Sequence, residues 1–167
     1  MKKTTAIILL SIAICAVFVG CGNEKAETTA PVAFIGNPWS DWDSIGEAES
    51  AAGFSFGIPE TITDTCKADA FRTMNNEMIE IIYHDGDSEV RVRKQKGEGQ
   101  DISGDYNEYD TCTEESFGEG KITTYRNNDG GAMKQIISYN GYSWSVTAQS
   151  GYSEDTNEAF LDKIMEK

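Results

Sequence analysis

Two stretches of the chain hold side chains in arrangements that chemistry could use. The first is Gly53-Phe54-Ser55-Phe56-Gly57, which fits G-x-S-x-G, the turn that presents a nucleophilic serine in many hydrolases. That chemistry needs the serine on a strained turn from strand into helix, with an acid and then a histidine later in the chain. Ser55 instead follows a helical pattern and enters an alternating one, the reverse order. The only histidine, His84, flanks a tight turn, so Ser55 lacks a base. No catalytic residue is assigned, no cofactor is expected, and the chain reads as non-catalytic. The second stretch, "DISGDYNEYD", gathers Asp101, Asp105, Asn107, Glu108 and Asp110 within ten residues. Hard oxygen ligands at such spacing can wrap Ca²⁺, with Asp101, Asp105, Asn107 and Asp110 as the candidate set. The EF-hand order fails, however, because Tyr109 stands where Asn or Asp belongs and Asp110 where the loop needs Gly. A solvated acidic loop is the favoured alternative.

Positive charge is concentrated in "RVRKQK", where strand alternation puts Arg91 and Arg93 on one face and Lys94 and Lys96 on the other. Such a face could clamp a carboxylate or phosphate. Glu77, Glu80 and Glu89 are adjacent or cross-strand partners, and local charge pairing is the simpler expectation. Trp39, Trp42, Tyr139, Tyr142, Trp144 and Tyr152 could line a groove for a glycan or peptide, with Trp144 expected to serve the core. The whole chain is acidic, with 14 basic residues against 28 acids and a formal charge of −14. That balance repels phosphate backbones and anionic headgroups, which excludes nucleic acid as a partner.

The N-terminus carries Lys2 and Lys3, an apolar stretch from Ala6 to Val19, and small Gly20, the three parts of a secretory signal. Fourteen residues are too few for a membrane-spanning helix, which needs about twenty. The run Phe18-Val19-Gly20-Cys21-Gly22 resembles the lipobox of bacterial lipoproteins, with Phe18 where Leu is usual. The resemblance implies a diacylglyceryl group on the Cys21 thiol, cleavage before it, and a protein held to a membrane on the side away from the cytoplasm. Two acyl chains, at about 0.8 kcal/mol per buried methylene, anchor stably where one does not. Cleavage removes two lysines and no acid, so a mature chain of 147 residues carries −16. Residues 21–35 read as an anchored flexible tether and residues 36–167 as a single domain. With Cys15 lost and Cys21 lipidated, Cys66 and Cys112 remain. In an exported protein two leftover thiols suggest one disulfide, worth about 4 kcal/mol in the chain-entropy model. Two separate buried thiols are the alternative, since the spacing fixes no distance.

The elements that must position these residues follow from pattern. Ser44 and Glu47 fit a capping box, Ile45, Ala48 and Ala52 share a helix face, and Gly53 suits a left-handed stop. Phe54, Phe56 and Ile58 then alternate as a strand would, up to Pro59. "EMIEIIYHDGDSEVRVRK" reads as a hairpin about Asp85-Gly86, pairing Ile81 with Val90, Glu80 with Arg91 and Glu77 with Lys94. "MKQIISYNGYSWSVTA" is a second hairpin about Asn140-Gly141, setting Tyr139 against Tyr142, Ile137 against Trp144 and Met133 against Ala148, with its serine face in water. Lys121–Arg126 adds a strand through "NNDGG". Gln95 to Phe117 is read as a long loop or irregular edge strand. Ser153 caps a final helix whose Phe160/Ile164 and Leu161/Met165 pairs form an apolar stripe. The expected class is α+β, a mostly antiparallel sheet of about six or seven strands with the N- and C-terminal helices packed on one face.

"NPWSDWDSIGEAESAAGFSFGIPE", followed by a β-rich body and "GYSWSVTAQSG" before a terminal helix, resembles uncharacterised lipoproteins and membrane-anchored extracellular domains of Firmicutes, especially Clostridia. The resemblance implies a shared fold and an extracytoplasmic place. It carries no active-site residue across. The resulting expectation is a cell-surface lipoprotein that acts as a binding or interaction domain. The alternative is an envelope module carrying a small molecule or lipid.

Overall fold

A computed structural model describes residues 36–130, 133–149 and 153–165. The signal segment, Cys21, the tether and Tyr152 lie outside the described residues. The expected first helix is α1, Ile45–Ala52. Ser44 Oγ accepts the Glu47 N–H at 3.3 Å while Glu47 Oε2 accepts the Asp43 N–H at 3.1 Å, a reciprocal lock on the helix start. Gly53, at φ +71°, ends it in the left-handed region. The last helix, α2, Glu154–Met165, starts on Ser153, whose hydroxyl accepts the Thr156 N–H at 3.1 Å.

The strands form one antiparallel sheet of eight, where six or seven were expected. They are β1 Trp39–Trp42, β2 Cys66–Met74, β3 Met78–Asp85, β4 Ser88–Lys96, β5 Thr111–Phe117, β6 Gly120–Arg126, β7 Met133–Tyr139 and β8 Tyr142–Ala148. Their order is β1-β2-β3-β4-β8-β7-β6-β5, two consecutive meanders joined where β8 returns to pair with β4. The α+β description holds at this level.

The Asn140-Gly141 hairpin has the expected register, Tyr139 opposite Tyr142 and Ile137 opposite Trp144, with φ +53° and +81° at the two turn residues. Both positive angles suit a type I′ turn. The β3–β4 register differs from expectation by two residues. Gly86 and Asp87 are the loop, Asp85 faces Ser88, and Ile81 meets Val92. The reason is local: Gly86, at φ +61°, occupies the first loop position, where a type II′ turn takes glycine. A two-residue shift keeps every side chain on its expected face but changes its partner. Glu80 therefore faces Arg93 rather than Arg91, and Lys94 faces Ile79 rather than Glu77.

One face of the sheet is the core. Ile81, Val92, Val146 and Ile137 are wholly buried there, each worth about 1.5–3 kcal/mol. Ala48 and Ala52 of α1 and Phe160 and Ile164 of α2 belong to the same cluster, and the Phe160 ring meets Tyr83 edge-on at 5.0 Å. Phe54, Phe56 and Ile58 do not form a strand. They are an extended connection whose three side chains are all buried in this cluster, so their alternation reflects one-sided burial without ladder hydrogen bonds.

The opposite face was expected to be wet, yet Ser143 and Ser145 are at most 1% exposed. Residues 97–110 leave β4 and cross this face to reach β5 at the far edge. They form a strap bound to the strands beneath: Gly99 N–H to Ser138 Oγ, Gln100 N–H to Ser143 Oγ, and Arg93 Nη1 to the Ile102 and Ser103 carbonyls. Arg93 of β4, Ser138 of β7 and Ser143 of β8 thus anchor the strap's backbone, while Ser145 Oγ is buried without a hydrogen-bond partner among the described residues.

Candidate functional site

The residues singled out by sequence do not assemble into one centre. Ser55 is exposed and donates to Glu49 Oε1 at 2.9 Å. His84 lies in β3 with Nε2 3.5 Å from Asp69 Oδ2, so its ring pairs with an acid and not with Ser55. Cys66 and Cys112 are free thiols, which corrects the expected disulfide. Five strands separate β2 from β5 in the sheet, whereas a bridge requires Cα atoms within about 7 Å. Burial, followed by the charge of Asp85, pushes the Cys66 thiol up to about 12, while Cys112 is exposed.

The acidic loop is likewise corrected as a calcium site. Among the described residues no three acidic, histidine or cysteine side chains converge as metal ligands. Each candidate carboxylate instead receives donors from the protein. Asp101 Oδ1 takes the Ser103 hydroxyl and N–H, and Asp105 Oδ1 takes the Asn107 N–H. Asp110 Oδ2 takes the Asn128 N–H. The cation at the centre is Lys134, whose ammonium reaches Asp101 Oδ2 at 3.2 Å and the Asp105 carbonyl at 3.1 Å. Burial alone would raise the Asp101 carboxyl. The two Ser103 hydrogen bonds and Lys134 more than offset it and hold that group below the ordinary carboxylate range. Neither sequence alternative foresaw this buried lysine.

Local pairing of the arginines is present, with partners set by the observed register. Arg93 Nε donates to Glu80 Oε2 at 2.7 Å, and Arg91 Nε to Glu89 Oε1 at 2.6 Å. Glu80 is 1% exposed and also has Arg72 Nη1 at 3.5 Å from its other oxygen. Trp39 covers the Arg93 guanidinium at 5.1 Å from the ring centre, and Trp42 donates its indole N–H to Thr73 Oγ1. These tryptophans thus cover and brace the sheet. Trp144 is in the core, as expected.

Two of the hollows are lined by cations singled out in the sequence; a larger one, about 680 Å³, lies at Glu98, Glu119 and Tyr139 and has no cation in its lining. On the strap face a groove of about 460 Å³ runs between strap residues Ser103–Asn107 and the Arg91, Arg93, Thr147 and Gln149 side of the sheet. Arg93 forms its floor, already held by Glu80 and the strap carbonyls. Arg91 is half-exposed, and Glu89 takes only its Nε. Tyr106 stands at the rim, 96% exposed, the one large hydrophobic side chain left in solvent among the described residues. On the core face a chamber of about 110 Å³ is bounded by Phe56, Tyr139, Asn140, Tyr142, Trp144 and Lys94, with Lys163 of α2 at its wall. Lys94 was expected to pair with Glu77 across the hairpin. It is 8% exposed, and burial lowers its ammonium to about 8, with Glu49 opposing that shift.

No protein-family model matches the chain, nor does any curated protein or solved structure. Among the described residues, no helix is long and apolar enough to cross a membrane.

Proposed function

We propose that this protein is a lipoprotein tethered through Cys21 outside the cytoplasm, related to the Firmicutes lipoproteins it resembles. It acts there as a non-catalytic binding domain, with the helices on one sheet face and recognition on the other. The observation that carries this reading is Tyr106, fully presented to solvent beside an arginine-lined groove. Tyrosine and arginine are the side chains that most often anchor interfaces. Of the two arginines in the groove Arg93 is spent on Glu80, and Arg91, half-exposed with only its Nε taken by Glu89, offers its remaining N–H groups to an anionic group beside Asp105. The ligand class is therefore a carboxylate-bearing peptide or sugar. The strap gives the groove a fixed wall, because its backbone is pinned along its length and little ordering cost remains for binding.

The alternative, a small-molecule or lipid carrier, asks for an interior that side chains leave empty. The spaces bounded by α2 and the sheet are a hollow of about 110 Å³ at Lys163 and one of about 460 Å³ at Met165, both open to solvent and neither an enclosed interior, which favours the binding reading. Two experiments test it. Cys21→Ala should release the protein into the medium, and retention on membranes overturns the anchor. Titration of the ¹⁵N-labelled protein with acidic oligopeptides and uronic or muramic sugars should shift amides of residues 103–107 and 147–149. Arg91→Glu should remove those shifts. No response across that panel at millimolar concentration, or a response elsewhere on the surface, overturns the groove.

A further inference from the structure

We propose that the chamber beside Lys94 is a binding site for a small carboxylate anion. Arg93 and Lys134, the other cations drawn into the structure, each touch a carboxylate, Glu80 and Asp101 respectively. Lys94 does not. Its ammonium donates to the Ser55 carbonyl at 2.6 Å and the Phe56 carbonyl at 3.2 Å, and its third N–H finds no oxygen acceptor among the described residues. Three ring faces surround it, Tyr142 at 4.2 Å, Trp144 at 4.5 Å and Phe54 at 5.9 Å from the ring centres. Glu49, the acid whose field reaches Lys94, already has Oε1 engaged by the Ser55 hydroxyl and the Phe56 N–H. A buried cation supported only by dipoles and rings lacks its counter-ion.

The space for one lies beside it. At about 110 Å³ the chamber has room for a few waters at about 30 Å³ each, or for one anion the size of acetate. Lys163 and the Asn140 amide line the same chamber and add positive charge and a hydrogen-bond donor, while Tyr139 and Trp144 give it apolar walls. Lys96, over the Phe54 ring at 5.3 Å, reinforces the positive field from the same strand face. The groups that face Lys94 are thus Glu49 from α1, Lys163 from α2, Lys96 from β4 and the phenols of Tyr139 and Tyr142. A carboxylate takes the free N–H and satisfies the charge. This site is on the opposite face from the strap groove and does not depend on it.

The probe is sodium acetate, compared with sodium chloride at equal ionic strength and pH 7, with the unfolding midpoint as readout. At ten times its dissociation constant, acetate should raise the folding equilibrium constant about elevenfold over chloride. Lys94→Met should abolish the difference and Lys163→Gln should reduce it. At pH 10 the difference should vanish, because the ammonium has lost its proton. In the wild-type protein, acetate should also move the titration midpoint of the Lys94 ¹³Cε resonance upward, a readout that survives even if Lys94→Met fails to fold. Equal responses to acetate and chloride, or an acetate effect retained in Lys94→Met, overturn the proposal. An unmoved ¹³Cε titration overturns it too.

Discussion

Replacing Glu80 with alanine should be the most damaging single change on the strap face. Its carboxylate is 1% exposed and holds Arg93 Nε at 2.7 Å, and the Arg93 side chain is itself 12% exposed. Removing the acid leaves a buried guanidinium whose remaining partners are the Ile102 and Ser103 carbonyls. Arg72, 32% exposed and also bound to Asp41, can turn to solvent and loses little. Breaking such a pair from one side costs about 3–5 kcal/mol, a large share of the roughly 5–15 kcal/mol that holds a domain together. Urea unfolding followed by tryptophan fluorescence measures it. With a slope of about 1–3 kcal/mol per molar, the midpoint should fall by at least about 1 M at unchanged slope. The control is Glu114→Ala, whose pair with Lys121 is 59% and 53% exposed and should cost under about 1 kcal/mol. A Glu80→Ala loss no larger than that control refutes the view that the carboxylate is a buried charge partner. Hydrogen exchange at residues 102–104 should quicken in the same variant, since one guanidinium ties Glu80 to the strap.

Gly104→Ala should destabilise by about 1–2 kcal/mol or more, because the backbone sits at φ +63° and the added Cβ would come within 2.5 Å of Arg93 Nη1; a variant as stable as wild type contradicts the strap geometry. Mapped thiol labelling without reductant should modify Cys112 in the folded protein and Cys66 only after unfolding, and a mass two hydrogens short across that pair would contradict the free-thiol assignment. Lys94 titrates near pH 8 folded, against about 10.4 unfolded. Below pH 8 both states carry the proton and its contribution is flat. Between about pH 8 and 10.4 the unfolded chain binds more protons, so stability rises with pH. In acetate-free buffer the wild type should therefore gain on the order of 2 kcal/mol relative to Lys94→Met between pH 7 and 9.5, and parallel curves for the two proteins refute the shift.

The helix ends and both hairpins were legible because their signals are local. Ser44, Gly53, Ser153 and Asn140-Gly141 act on the few residues beside them, and the structure places each in the expected role. The β3–β4 register was legible only to within its face, since apolar-on-apolar pairing is satisfied equally two residues away. The choice fell to where Gly86 sits in the turn. What the sequence could not reveal is tertiary. Ser143 and Ser145 look like solvent-facing strand residues until the strap covers them. Lys94 looks like a surface lysine until the Phe54–Ile58 segment brings two carbonyls to it. The candidate sites fared worst for the same reason. Clustered acids near Asp105 suggest a metal, and only the pairing of β6 with β7 beneath the strap shows that Lys134 fills that place.

The seam between β4 and β8 has a consequence for how the chain is made. Every other strand pairing joins neighbours in sequence, but β4 waits for the last strand, because Val92 pairs with Val146. While synthesis runs from one meander to the next, the outer edge of β4 is an unpaired ladder, the kind of edge that recruits other chains. Four of its nine residues, Arg91, Arg93, Lys94 and Lys96, are cationic. Two growing chains that met edge to edge there would bring those charges together, so the strand guards itself against its own copies until β8 arrives.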